Sequence, residues 1–221
     1  MKNILIFGAS GHSMMIIDII LKKGNYNIKG YIDSFKSKGT SIYGYNVIGD
    51  LESLPKIIKE HSIHAMVIGV GDNSARQAIY NSVVATAPNL EFIPVVHPSA
   101  IIAEDVVVSK GTVIMAGAII NADAKIGDFC ILNSNSSLGH NSTMEDFSSL
   151  ASGATLGGNV KIGKCSAVCL GANIIQNVSI GNYTIIGAGS LVIKPIGDYK
   201  QAIGVPIHTI TNRESDSKYL G

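Results

Sequence analysis

Two patterns of apolar and polar positions divide the chain. Up to about residue 96, short apolar runs alternate with mixed segments. Lys2 to Phe7 is an apolar run that ends in a glycine loop, Gly8-Ala9-Ser10-Gly11-His12-Ser13, and Met14 to Leu21 follows with helical character. Asn27 to Ile32 reads as a second strand closed by Asp33, and Leu51 to Glu60 as a helix whose regular part begins at Pro55. Ala65 to Val70 reads as a third strand. The turn Gly71-Asp72-Asn73 follows it, then a helix to about Thr86 that Asp72 or Asn73 would cap. Glu91 to Val96 is a fourth strand. This alternation predicts a small α/β domain with a parallel sheet over residues 1–97.

From Ser99 the period changes. An aliphatic residue, or once Met, falls at every sixth position from Ile102 through Ile114, Leu138 and Ile162 to Val192, sixteen times without a gap. A second series four residues later, which includes Ala118, Cys130, Ser148 and Ala172, is always small or β-branched. Neither a helical period of about 3.6 nor a simple alternating strand yields a strict six. A short strand plus a corner does, with one large and one small inward residue filling each side of a narrow prism. Three sides close one coil, so each coil advances the chain by about 4.8 Å and five coils make a column of roughly 24 Å. A β-sandwich, with turns every 8 to 12 residues, would not hold this register. The expected second domain, residues 98–221, is a parallel β-helix with a C-terminal tail.

Composition narrows the functional classes. The 221 residues are 46% hydrophobic and 15% charged with a net charge of +1, which supplies a core and argues against nucleic acid or an anionic membrane as the main partner. The run Met14 to Leu21 is too short to span a bilayer and is interrupted by Asp18, so no membrane insertion is expected. Cys130, Cys165 and Cys169 show no paired CxxC spacing, which fits a reducing, cytoplasmic compartment.

The hexads, together with GASGHS at 8–13, the strand end at Asp33, GDN at 71–73, LNSNSSLGHN at 132–141, GGNVKIGK at 157–164 and Gly204-Val205-Pro206, resemble the hexapeptide-repeat sugar acetyltransferases of the sialic-acid and bacillosamine pathways. The resemblance covers nearly the whole chain. It implies a Rossmann-like front domain followed by a left-handed β-helix, acetyl-CoA as cosubstrate, no metal, and a homotrimer. Three flat flanks suit three-fold closure. It also implies N-acetylation of the 4-amino group of a nucleotide-linked, UDP-type amino-deoxy sugar for a surface glycan. O-acetylation of sialic acid or a related sugar is the alternative, because one base serves both. A non-catalytic scaffold would need neither a lone outward histidine nor a nucleotide-like front domain. A metal-dependent β-helix lyase would need several histidine ligands in the repeat, and His140 is the one histidine between 99 and 194.

His140 lies two positions after the inward Leu138, at a corner or outward position. An imidazole there suits proton removal from an attacking amine, with direct transfer and no acyl-enzyme. Gly158, eighteen residues on, is expected to leave room for a ligand. Where the resemblance leads one to expect an acidic neighbour that orients the base, this chain has Asn141, and Glu145 or Asp146 are the acids nearest in the following sequence. The resemblance places acetyl-CoA against Ser149, Gly158, Leu170 and Ala188. It places the acceptor's pyrophosphate or sugar at Ser10, Gly11 and His12, its base at Asp33 and Ser34, and its close approach at Gly71. Lys161 and Lys164 are candidates for phosphate contacts. Cys130 belongs to the inward series and reads as core.

Overall fold

The structure is a computed structural model that describes residues 1–215 and Ser217. The front domain contains β1 (Lys2–Phe7), α1 (Gly11–Lys23), β2 (Tyr26–Ile32), β3 (Ser41–Ile42), β4 (Tyr45–Gly49), α2 (Leu54–Glu60), β5 (Ile63–Ile68), α3 (Asn73–Thr86) and β6 (Glu91–Phe92). Its sheet runs β3-β4-β2-β1-β5-β6, parallel except for the β3–β4 pair. Asp72 caps α3 by accepting from the Ala75 N–H at 2.9 Å. Pro55 lies in the first turn of α2, where its missing N–H costs nothing.

Two features depart from the expected element string. The β3–β4 hairpin between Asp33 and Leu51 is additional. It turns at Tyr43-Gly44 with φ of 50° and 82°, the doubly left-handed geometry of a two-residue hairpin turn. The single strand expected over Glu91 to Val96 breaks at Ile93-Pro94, because proline offers no N–H to a ladder. Its second half, β7 (Val95–Val96), pairs with Val113–Ile114 and is already part of the β-helix.

The repeats form three flat faces. Face 1 stacks Val95–Val96, Val113–Ile114, Ile131–Leu132, Ser149–Leu150, Ala167–Val168 and Ile185–Ile186. Face 2 runs from Ile101–Ile102 to Leu191–Val192, and face 3 from Lys125–Ile126 to Ser179–Ile180. Partners stand eighteen residues apart, as in Ile120↔Leu138 and Met144↔Ile162. Both inward series are buried from Thr112 and Ile114 onward and form one continuous core. The ends differ from the middle: Ile102 and Val108 are only partly buried, no strand forms at 107–108, and Val107 is 79% exposed. At the other end a hairpin of Lys200–Gly204 and Ile207–Asn212 extends face 1.

The corners explain the composition. Backbone φ is positive at fourteen successive sixth positions, from Gly111 through Asp123, Asn141 and Asn159 to Gly189. Ten of these are Gly, Asn or Asp, which tolerate the left-handed conformation. The other four, Phe129, Phe147, Cys165 and Tyr183, all lie on the corner between faces 3 and 1. That corner carries the front domain: the rings of Phe129 and Phe147 stack at 5.0 Å, and Tyr80 and Phe92 pack against them.

Arg76, 1% exposed, locks the junction. It donates to the Phe129 and Phe147 carbonyls at 2.9 Å each, to the Gly71 carbonyl at 2.9 Å, and to Asn73 Oδ1 at 2.7 Å. Asn73 in turn donates to Ser149 Oγ and to the carbonyls of Cys165 and Ser166.

Candidate active site

His140 is exposed on the corner between faces 2 and 3. Its backbone is fixed from above, since its carbonyl accepts the Asn159 N–H at 2.9 Å. Its Nδ1 lies 2.7 Å from Asn141 Oδ1. Asn141, at φ 58°, sends its Nδ2 down the column to Asp123 Oδ2. The acid behind Asn141 is therefore Asp123, eighteen residues earlier. Asp146 instead accepts the Asp128 N–H, and Glu145 is exposed on face 3. At Gly158 the missing side chain makes room for a neighbour in the fold. A Cβ built there would meet His140 Nε2 at 2.4 Å, so the imidazole itself fills the space.

A cavity of about 1070 Å³ opens where the front domain meets face 1. His12 and Gly71 from the front domain, Ser149, Leu170 and Ala188 from the β-helix, and Arg213 from the tail are among its lining residues. At this volume it is at the upper end of small-molecule sites. It sits beyond the carboxyl ends of β1 and β5, where the chain order in the sheet reverses, which is where open α/β sheets bind ligands. Ser149 is buried and accepts from Asn73; Leu170 is 60% exposed. His140, Asn141 and Gly158 are not among the cavity's lining residues. Lys161 and Lys164 are on face 3 and the following corner, away from it.

The front-loop residues divide between two places. His12 borders the cavity with a buried Nε2 that has no hydrogen-bond partner among the described residues. Burial, and then the Arg76 guanidinium, push its pKa down to about 4, so the ring is neutral. Ser10 Oγ donates to the Gly69 carbonyl, and Gly11 opens α1 on the surface. Asp33 ties the loop together: its carboxylate accepts from the N–H groups of Ala9 at 2.7 Å, Phe35 at 2.8 Å and Lys36 at 2.9 Å. Burial alone would raise its pKa, but these donors, with the Lys36 charge, bring it below the usual carboxylate range. Asp33 and Ser34 line a separate cavity of about 490 Å³. Three contributors escape the sequence: Asp123, Asn73 and Arg213. The eighteen-residue register alone would have pointed to the first.

Among the described residues, no group of three or more His, Cys, Asp and Glu side chains is placed to hold a metal ion, and no helix is long and apolar enough to cross a membrane.

A front α/β domain on a parallel β-helix is the architecture that the resemblance to the hexapeptide-repeat sugar acetyltransferases implies, and comparison with known proteins bears out that resemblance. Residues 3–83 match the family described as the PglD N-terminal domain. The UDP-N-acetylbacillosamine N-acetyltransferase of Bacillus subtilis is 34% identical over 117 residues, 52% of this chain and 52% of that protein. An uncharacterized protein of Acanthamoeba polyphaga mimivirus is 32% identical over 124 residues, 56% of this chain and 23% of the viral protein. The chain thus spans about half the length of the first of these curated relatives and less than a quarter of the other.

Solved structures align over nearly the whole chain. A histidine-to-asparagine variant of the perosamine N-acetyltransferase from Caulobacter crescentus, in complex with CoA and GDP-perosamine, superposes with a TM-score of 0.89 at 29% identity, covering 96% of this chain and 98% of that one. The acetyltransferase domain of PglB from Neisseria gonorrhoeae, in complex with acetyl coenzyme A, gives 0.86 at 26% identity, with 94% and 98% covered. The first of these neighbours is an N-acetyltransferase with CoA bound, and the second an acetyltransferase domain with acetyl coenzyme A bound.

Proposed function

We propose that the protein transfers the acetyl group of acetyl-CoA to the 4-amino group of a nucleotide-linked amino-deoxy sugar, with His140 as general base. The observation that carries this reading is the exposed imidazole whose Nδ1 is engaged by Asn141, on a fold shared over nearly its whole length with CoA-using sugar N-acetyltransferases. With Nδ1 occupied, Nε2 is the free basic nitrogen. The neutral amine attacks the thioester carbonyl as Nε2 takes its proton, and backbone N–H groups at the corners stabilise the oxyanion. Collapse of the tetrahedral intermediate breaks the C–S bond, and the imidazolium returns its proton to the CoA thiolate. No covalent enzyme intermediate is required.

The acceptor enters from the front domain at His12 and Gly71, and acetyl-CoA runs along face 1 past Ser149, Leu170 and Ala188. His140 stands on another corner, so a base from one copy serves the cavity of a neighbour in a homotrimer. UDP-linked amino sugars are the first acceptors to test, with GDP-linked ones beside them. Mass spectrometry after incubation with acetyl-CoA tests the reading: a gain of one acetyl group on the amine is expected, and it is lost in His140→Ala. Acetylation of neither amino nor hydroxy sugars would sink it, and full turnover in His140→Ala would remove the base. An active monomer in sedimentation would remove the shared site.

A further inference from the structure

We infer that Asp123 is a positioning residue that fixes the tautomer of His140 through the side-chain amide of Asn141. The inference rests on His140 being the base. A carboxylate only accepts hydrogen bonds, so Asn141 must turn its NH₂ edge toward Asp123 Oδ2. Its carbonyl oxygen then faces His140 Nδ1 at 2.7 Å. A carbonyl oxygen also only accepts, so Nδ1 carries the proton. Nε2 is then unprotonated, on a ring that lies against Gly158 and is exposed to solvent. Without the acid, the amide is free to flip and present its NH₂ to Nδ1. That would leave the proton on Nε2 and the ring in the wrong tautomer for a base. Asparagine transmits orientation here, and aspartate supplies it.

The surroundings offer no competing director. The corner column runs Asp105, Asp123, Asn141, Asn159 and Asn177, with both carboxylates below His140. Asp105 is engaged with the Asp123 N–H at 2.6 Å. Gly157 and Gly158 above add no charge, and Lys125 and Lys161 occupy exposed positions on face 3. Asp123 itself has φ 56°, which glycine adopts freely, so Asp123→Gly removes the carboxylate without straining the corner.

The experiment is ¹⁵N NMR of the full-length protein at a pH where His140 is neutral, with its ring signals assigned by their loss in His140→Gln. Wild type shows the Nδ1–H tautomer. Asp123→Gly shifts it toward Nε2–H and lowers kcat roughly 10- to 100-fold, while KM for acetyl-CoA stays within about twofold. The double variant Asp123→Gly, Asn141→Asp restores Nδ1–H, because a carboxylate then meets the ring directly. Should Asp123→Gly fail to fold, the isosteric Asp123→Asn reads the same tautomer and is expected to give a mixture. An unmoved Nδ1–H signature in a folded Asp123 variant overturns the inference. A tautomer that moves while turnover is untouched in both Asp123→Gly and His140→Ala leaves the relay standing and removes the base instead.

Discussion

Gly158 and His12 show how single positions divide between fold and chemistry. Gly158 has ordinary backbone geometry but cannot accept a Cβ, because the His140 ring lies 2.4 Å from where one would sit. The obstructing atom is the far end of an exposed side chain, so the ring swings aside at little cost. Gly158→Ala should therefore change stability by less than about 1 kcal/mol while cutting turnover by at least roughly tenfold. Thermal melts beside kinetics check this, and wild-type kcat with an unchanged melt would remove the packing role. His12 predicts an acid-side effect. Its folded pKa is about 4 against an ordinary 6.5, so the unfolded chain binds the proton first as pH falls. Stability is unaffected above 6.5 and declines by up to about 1.4 kcal/mol per pH unit between 6.5 and 4. Urea midpoints at pH 7 and 5 should therefore separate less in His12→Gln than in wild type, and equal separation would contradict the assignment. His140 is legible in sequence because a polar residue two places past an inward leucine must face out. The eighteen-residue register leads from Asn141 to Asp123, but which edge of the Asn141 amide faces which neighbour depends on coil stacking and is not legible. At Gly158, likewise, sequence reveals a missing side chain but not which neighbour lies against the space.

At the scale of one strand and its corner, the hexad is legible because its core is repetitive. Each inward position meets its own equivalent eighteen residues away, so every repeat confirms the others. The β3–β4 hairpin is invisible for the opposite reason. Its strands are short, their apolar positions do not alternate against a buried face, and Tyr43 is an unusual residue at positive φ. The corners permit a direct test. Asn177 is exposed at φ 62° and makes its turn by backbone tolerance alone. Asn177→Gly should be neutral within about 0.5 kcal/mol, whereas Asn177→Val should cost about 1–2 kcal/mol, because a β-branched side chain crowds the left-handed backbone. Equal urea midpoints for the two variants would show that the corner relaxes instead of holding its conformation.

The whole molecule depends on a junction that nothing in the hydrophobic pattern of α3 marks. α3 presents Arg76 as one basic residue in a polar stretch, a pattern that normally means solvent. Its burial follows from the aromatic corner beneath it. Phe129, Phe147 and Tyr183 accept left-handed backbone at a cost of roughly 1 kcal/mol each, and in return the corner offers a ring surface that Tyr80 and Phe92 cover. Arg76 then reaches carbonyls of two successive coils, while Asn73 binds the coil above. The same clamp sets the cavity, because Gly71 lies on one side of it and Ser149 on the other. Arg76→Ala leaves several buried carbonyls without their donor and a void beside the aromatic stack. A loss of about 3–5 kcal/mol follows. The loss falls on the junction, so helix-sensitive circular dichroism should report the front domain unfolding in urea before the β-helix core, where wild type shows one transition. Amide exchange should rise in α3 and at the corner residues 129 and 147 while the inward ladder around Leu150 stays protected. Coincident transitions with a loss under about 1 kcal/mol would mean that the rings alone hold the domains. The cavity would then depend on aromatic packing, and Tyr80 would become the residue to remove.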